Sequence, residues 1–214
     1  MVKVEVPEVT SADDRVVAVA AQLFLRDGVE QVKMTDIARE AGVGVATIYR
    51  HFQTKTRLAA EAGTLLWGMF ADEVAKLIES DAFLEMSGID RLAALFGEIS
   101  RVYVERPEFV VFLNGFDRLM LDEHVDARDL SAYGQTIDSF YVVFEDAYQL
   151  GRADGTVACD LDFRVFYHAI AHALMGAAQK FVRGGVIPSD AESDGSAEIE
   201  CIVETAVRSL RVAR

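Results

Sequence analysis

Apolar residues recur at three- and four-residue spacing along almost the whole chain, and the breaks between these runs fall at glycine, proline and serine or aspartate positions. Ser11-Ala12-Asp13-Asp14 has the serine-x-x-acid form of a capping box, and Val16, Val17, Ala20, Leu23 and Phe24 then follow at helical spacing up to Gly28, which predicts a first helix. A short second helix is expected over Met34 to Ala41, with Ile37, Ala38 and Ala41 inward and Gly42 as its stop. A third should run from Val45 to Phe52 after the tripeptide Gly42-Val43-Gly44. Two short helices across a tight glycine turn, behind a longer one, form a helix-turn-helix arrangement.

The pattern continues as a long amphipathic helix from Thr54 through Leu58, Leu65, Leu66, Met69 and Phe70 to Glu79, then another from Ile89 to Glu105 after the Ser87-Gly88 break. Pro107 suits the first turn of the next helix, where its missing N–H costs little. Further helices are expected over Asp126 to Leu150 (closed by Gly151), Asp160 to Val182 (closed by Gly184-Gly185) and Ala197 to Val212, with Ser189 to Ser196 a polar loop. No repeat and no period-two strand interrupts the series. The expected fold class is all-α, about nine helices, divided into residues 1–55, a helix-turn-helix domain, and residues 56–214, a larger helical domain.

Composition agrees with a packed helical protein: 51% of residues are hydrophobic and only 3 are proline. The start, Met1 to Pro7, lacks the apolar segment of a secretory signal, and the most apolar window, Val165 to Ala178, is short for a span and contains His168 and His172. A cytoplasmic location without membrane insertion is expected. Cys159 and Cys201 lack the spacing of a disulfide framework or a zinc ribbon and read as buried, reduced thiols.

Net charge is −14, which by itself argues against nucleic acid, but its distribution reverses that inference. Residues 1–58 hold eight basic side chains (Lys3, Arg15, Arg26, Lys33, Arg39, Arg50, Lys55, Arg57) against eight acidic ones, so the deficit lies beyond them. Between 44 and 58 there are Arg50, Lys55 and Arg57 and no acid. Screening at physiological salt confines an opposing field to about 8 Å, so a local basic patch can still hold phosphates.

The run Met34-Thr35-Asp36-Ile37-Ala38-Arg39-Glu40-Ala41-Gly42-Val43-Gly44-Val45-Ala46-Thr47-Ile48-Tyr49-Arg50-His51-Phe52-Gln53-Thr54-Lys55 closely resembles the signature of TetR-family regulators, in which an Ile-Ala-x-x-Ala-Gly-Val turn precedes Thr-aliphatic-Tyr-x-His-Phe and a lysine three positions on. The resemblance covers roughly residues 11–60. It implies a homodimeric transcriptional regulator, a repressor released from a palindromic double-stranded DNA operator by a small molecule, with no cofactor and no catalytic activity. Thr47, Tyr49, His51 and Lys55 carry donors suited to phosphate oxygens, while Val45, Ala46 and Arg50 would face the groove. Arg50 alone can read guanine bidentately. Tyr49 and His51 could instead cover a hydrophobic junction. Two positions depart from the family: Lys33 stands where a threonine often caps the second helix and touches phosphate beside Thr35, and Gly44 stands where serine commonly caps the third.

Aromatic residues are dense in the larger domain. The resemblance implies that a subset, drawn from Trp67, Phe70, Phe96, Phe112, Phe116, Phe140, Phe144, Tyr148 and Tyr167 together with His172, lines a pocket for an apolar, neutral or cationic effector, the rest being core. His168 and His172 share a helical face as two metal ligands would, but no glutamate follows the first and no third ligand is evident; a pocket wall or a dimer contact is the alternative, and no metal is expected. The resemblance implies that the last two helices pair with those of a second copy, which small residues at Ala169, Ala171, Ala173, Gly176, Ala177 and Ala178 and the stripe Ile199, Ile202, Val203, Ala206, Val207, Leu210 suit, unless the domain's own core consumes both. Two other readings stand beside the repressor: a DNA-binding dimer without a small-molecule effector, and a metal-assisted enzyme using His168, His172 and Asp160 or Asp162.

Overall fold

The Ser11 hydroxyl accepts the Asp14 backbone N–H at 3.1 Å and the Asp14 carboxylate accepts the Ser11 N–H at 3.0 Å, so the first helix starts at the expected box. It is α1 (Ala12–Asp27), followed by α2 (Met34–Ala41) and α3 (Val45–Phe52). Next come α4 (Lys55–Ile78), α5 (Asp81–Leu84), α6 (Gly88–Glu105), α7 (Pro107–Asp122), α8 (Ser131–Ala153), α9 (Phe163–Arg183) and α10 (Gly195–Leu210). The computed structural model describes residues 11–123, 125–126, 128–158, 161–184, 187–188 and 192–212. Among these the only extended pairing is an isolated bridge between Val157 and Arg211.

Three sequence expectations need correction. The helix α5, capped by Ser80, was not visible in the pattern because four residues are too few to show a period. Gly151 does not close α8; it lies inside the helix, where the Val157 side chain approaches within 2.5 Å of where a Cβ would stand, and the chain turns instead through Gly155 at φ 75. Cys201 is exposed on α10 and not a core thiol, since Ile199, Ala206, Val207 and Leu210 already fill the inward face of that helix. Cys159 and Asp160 lie outside the described residues.

The chain divides into two compact units, one formed by the described residues up to Phe70 with Val111–Ile137, the other by Ala71–Val110 with the described residues from Asp138 onward. In the first, Phe24 stacks on Phe112 with ring centroids 6.4 Å apart, and both are fully buried. α7 packs at Gly115 beside Val29 in the loop after α1, and Arg118 pairs with Glu30 in that loop at 3.2 Å. In the second, Phe96, Phe144 and Tyr167 form one aromatic chain, with centroids 4.7 and 5.0 Å apart, and Tyr148 stacks on Phe163 at 4.2 Å. No helix among the described residues is long and apolar enough to cross a membrane.

Candidate nucleic-acid interface

Four apolar residues of α2, Met34, Ile37, Ala38 and Ala41, point inward at i, i+3, i+4 and i+7. Gly42 then adopts φ 68, ψ 33, the left-handed conformation that its missing Cβ makes inexpensive, and its N–H closes on the carbonyls of Ala38 and Arg39. The chain therefore reverses within two residues and α3 begins at Val45 with Gly44 as its N-cap, which offers no side-chain acceptor. At the start of α2 the Lys33 ammonium cannot accept a hydrogen bond either; Asp36 supplies half a box by accepting the Lys33 backbone N–H at 3.3 Å, and the lysine side chain stays exposed.

Only Ile48 and Phe52 of the eight residues in α3 are buried. The other face presents Val45 at 38% and Tyr49 at 50% exposure, with Ala46, Arg50 and His51 also open and Thr47 half-buried. An apolar valine and a tyrosine left this open at the end of a two-point anchor are costly to hydrate and fit a surface built for contact. Lys33 and Thr35 are exposed at the beginning of α2. The helix ends at Gln53, a non-glycine residue at φ 62, before α4 starts at Lys55.

Two of the sequence-predicted side chains are engaged in ways their spacing does not reveal. The Lys55 ammonium donates to the Glu30 carbonyl at 3.1 Å, and its partial burial pulls its pKa below the ordinary lysine value. Both ring nitrogens of His51 have partners: Nδ1 lies 2.9 Å from Asp13 Oδ2 and Nε2 lies 3.2 Å from Arg50 Nη2.

The residues considered for an effector fall into two clusters, one in each unit. Trp67, Phe70, Phe112 and Phe116 belong to the first, where Tyr133, missed in the sequence, joins them: it stacks on Phe116 at 4.6 Å and its hydroxyl accepts from Trp67 Nε1 at 3.1 Å. Burial pushes that phenol up to about 12. Its seven-residue offset from Phe140 would have marked it. Phe96, Phe140, Phe144, Tyr148 and Tyr167 are buried in the second unit, whereas His172 is exposed and stacks on His168 at 5.9 Å. A cavity of about 260 Å³ opens elsewhere in that unit, lined by Phe166 and Ile170 of α9 and by Cys201, Ile202, Thr205, Ala206 and Ser209 of α10. The described residues hold no group of three His, Cys, Asp or Glu able to bind a metal ion.

A short anchored helix presented behind a glycine turn defines a helix-turn-helix module. Residues 16–62 match the family described as bacterial regulatory proteins, tetR family, and this match is confined to the helix-turn-helix and the start of α4. An HTH-type transcriptional regulator of Staphylococcus aureus (strain USA300) is 46% identical over 44 residues, 21% of this chain and 24% of the relative, so the match spans about a quarter of that relative's length. A TetR transcription regulator from Haloarcula marismortui shares the fold over 95% of this chain and 100% of its own, with a TM-score of 0.72 and 16% identity. So do a transcriptional regulator from Saccharomonospora viridis in complex with choline (0.71, 20% identity, 95% and 98% covered) and FadR from Bacillus subtilis in complex with stearoyl-CoA (0.69, 16% identity, 92% and 98%).

Proposed function

We propose that the protein is a homodimeric, TetR-type DNA-binding transcriptional repressor that leaves a palindromic operator when a small apolar, neutral or cationic ligand binds. The observation that carries the reading is α3, held by Ile48 and Phe52 and offering Val45, Ala46, Tyr49 and Arg50 to a partner, with the exposed His51 ring engaged by Asp13 and Arg50 beside them. In this reading residues 1–55 bind DNA and residues 56–214 bind effector and the second copy. Two heads related by a two-fold axis match two half-sites. The buried aromatic clusters and the acidity of the chain beyond residue 58 support an apolar, neutral or cationic effector, as does the cation choline held by one protein of the same fold, whereas the stearoyl-CoA held by another joins an apolar chain to an anionic headgroup that this acidity disfavours.

Selection of genomic fragments by the full-length protein tests the reading. Enrichment of an inverted repeat is the expected result, and recovery of no preferred sequence would overturn it. The effector half is tested by linkage: a ligand that lowers DNA affinity by some factor must itself bind the DNA complex more weakly by the same factor. Choline and a long-chain acyl-CoA are the first probes, and equal affinity for free and DNA-bound protein eliminates a compound as inducer.

Side-chain roles separate by sequence dependence. Tyr49→Phe and Lys55→Ala are expected to weaken binding to all DNA alike, whereas Arg50→Ala also relaxes preference at one base pair by about 1–3 kcal/mol. Competition binding with specific and random duplexes measures the difference. Equal losses on both duplexes for Arg50→Ala would remove its base-reading role.

A further inference from the structure

A guanidinium has only N–H donors, so the contact of Arg50 Nη2 with His51 Nε2 at 3.2 Å requires that nitrogen to be a bare acceptor. In the neutral ring the proton then sits on Nδ1, and Nδ1 faces the Asp13 carboxylate at 2.9 Å, which accepts it. The three side chains agree in one tautomer only: Asp13 takes the Nδ1 proton, and Nε2 takes a proton from Arg50. With the proton on Nε2, or with both nitrogens protonated, a donor would face the Arg50 fork.

We propose that Asp13, on the first turn of α1, is a positioning residue that fixes the tautomer of His51 and through it holds the Arg50 guanidinium for base reading. The inference rests on the DNA-binding reading above. Asp13 is not needed to cap α1, because Ser11 and Asp14 close that box between themselves. Nor is the contact a source of stability, since the His51 and Asp13 side chains are 37% and 48% exposed and open ion pairs contribute little. Its effect is on orientation: one N–H of the five in Arg50 is directed back to His51, and the remainder of the fork is presented from a restrained stem instead of a freely rotating one. The charged groups around the contact are Asp13 on α1, Arg50 on α3 itself, and Arg57 and Glu61 on α4; Arg57 and Glu61 face each other at 4.0 Å, and Glu61 feels the charge of Asp13. A uniformly electrostatic role for Asp13, as a negative charge near the phosphates, makes a different prediction, which allows a test.

The test compares full-length wild type with Asp13→Ala, Asp13→Asn, Arg50→Ala and His51→Gln. Long-range proton–nitrogen NMR of imidazole-labelled free protein reports the tautomer of each of the 4 histidines, with His51→Gln assigning the signal. The wild type is expected to hold His51 in the Nδ1–H form; Asp13→Ala should release it toward Nε2–H, and Asp13→Asn, whose amide oxygen still accepts, should retain it. Selection from random duplex DNA at fixed salt should then show Asp13→Ala losing a few-fold of discrimination at the same base pair that Arg50→Ala relaxes, with Asp13→Asn close to wild type. If both Asp13 variants raise affinity for every sequence alike, or if His51 populates Nε2–H in the wild type, the inference is overturned while the regulator reading stands. If the wild type itself selects no sequence, the regulator reading fails and takes base reading with it, whatever the tautomer.

Discussion

Gly88→Ala is expected to destabilise the second unit by about 3–5 kcal/mol, a large part of the total stability of an ordinary domain. Gly88 is the first residue of α6, and a Cβ built on it would fall inside the backbone nitrogen and Cα of Gly151 and 2.7 Å from the Ala147 carbonyl oxygen, all on α8. Main-chain atoms of a helix cannot swing aside as a side chain would, so α6 and α8 must separate. Separation also breaks the hydrogen bonds that cap α6, in which the Gly88 N–H donates to Asp154 Oδ2 at 2.7 Å and the Ile89 N–H to Thr156 Oγ1 at 3.2 Å. Gly97→Ala on the same helix is the control: nothing lies within 4 Å of its Cβ, and the gain in helix propensity should stabilise by about 0.5–1 kcal/mol. Urea denaturation measures both; a Gly88 variant within about 1 kcal/mol of wild type would show that the approach of the two helices is not the constraint assigned to it.

The first three helices were legible because their signals are local. Ser11 and Asp14, Gly28, the i, i+3, i+4, i+7 positions of α2, and Gly42 each act within one or two turns, and the structure uses every one of them where the spacing put it. Glycine is ambiguous where packing decides. Gly151 has the sequence appearance of a helix stop, yet it is kept small by the Val157 side chain folding back over it after the turn at Gly155, a packing fact that no helix-stop rule reports. Exposure was hidden in a related way. The stripe on α10 was readable, but which of its residues face the same chain is a tertiary fact: Ile199, Ala206, Val207 and Leu210 are consumed internally, while Ile202 and Val203 are half-buried. The candidate interface shows the same limit at finer scale: outward positions on α3 follow from Ile48 and Phe52, whereas the partners of Lys55 and His51, Glu30 and Asp13, come from the loop after α1 and from α1 itself.

Ala173→Glu is expected to convert the protein to a monomer and to lower affinity for a two-half-site operator about 10²–10⁴-fold, because the second head then loses the effective concentration that pairing supplies. With Ile199, Ala206, Val207 and Leu210 of the α10 stripe buried and Ile202 and Val203 half-buried, the surface most open to a second copy is the outer line of α9, where Val165 is 65% exposed and Ala169, Ala173 and Gly176 follow at three- and four-residue spacing, with the apolar groove beside Cys201 and Thr205. Small side chains along one line permit close helix approach, and a two-fold axis makes a central residue meet its own copy. A glutamate at position 173 therefore places two carboxylates together where desolvation makes them costly. Within one chain the site is open, so the folded monomer should lose no more than about 0.5 kcal/mol. Light scattering should give a mass of 23.5 kDa for the variant against twice that for wild type, and gel-shift titration should show the operator affinity falling while affinity for an isolated half-site stays the same. A variant that remains dimeric would move the interface away from α9, and a wild type that is already monomeric would remove the two-headed reading altogether.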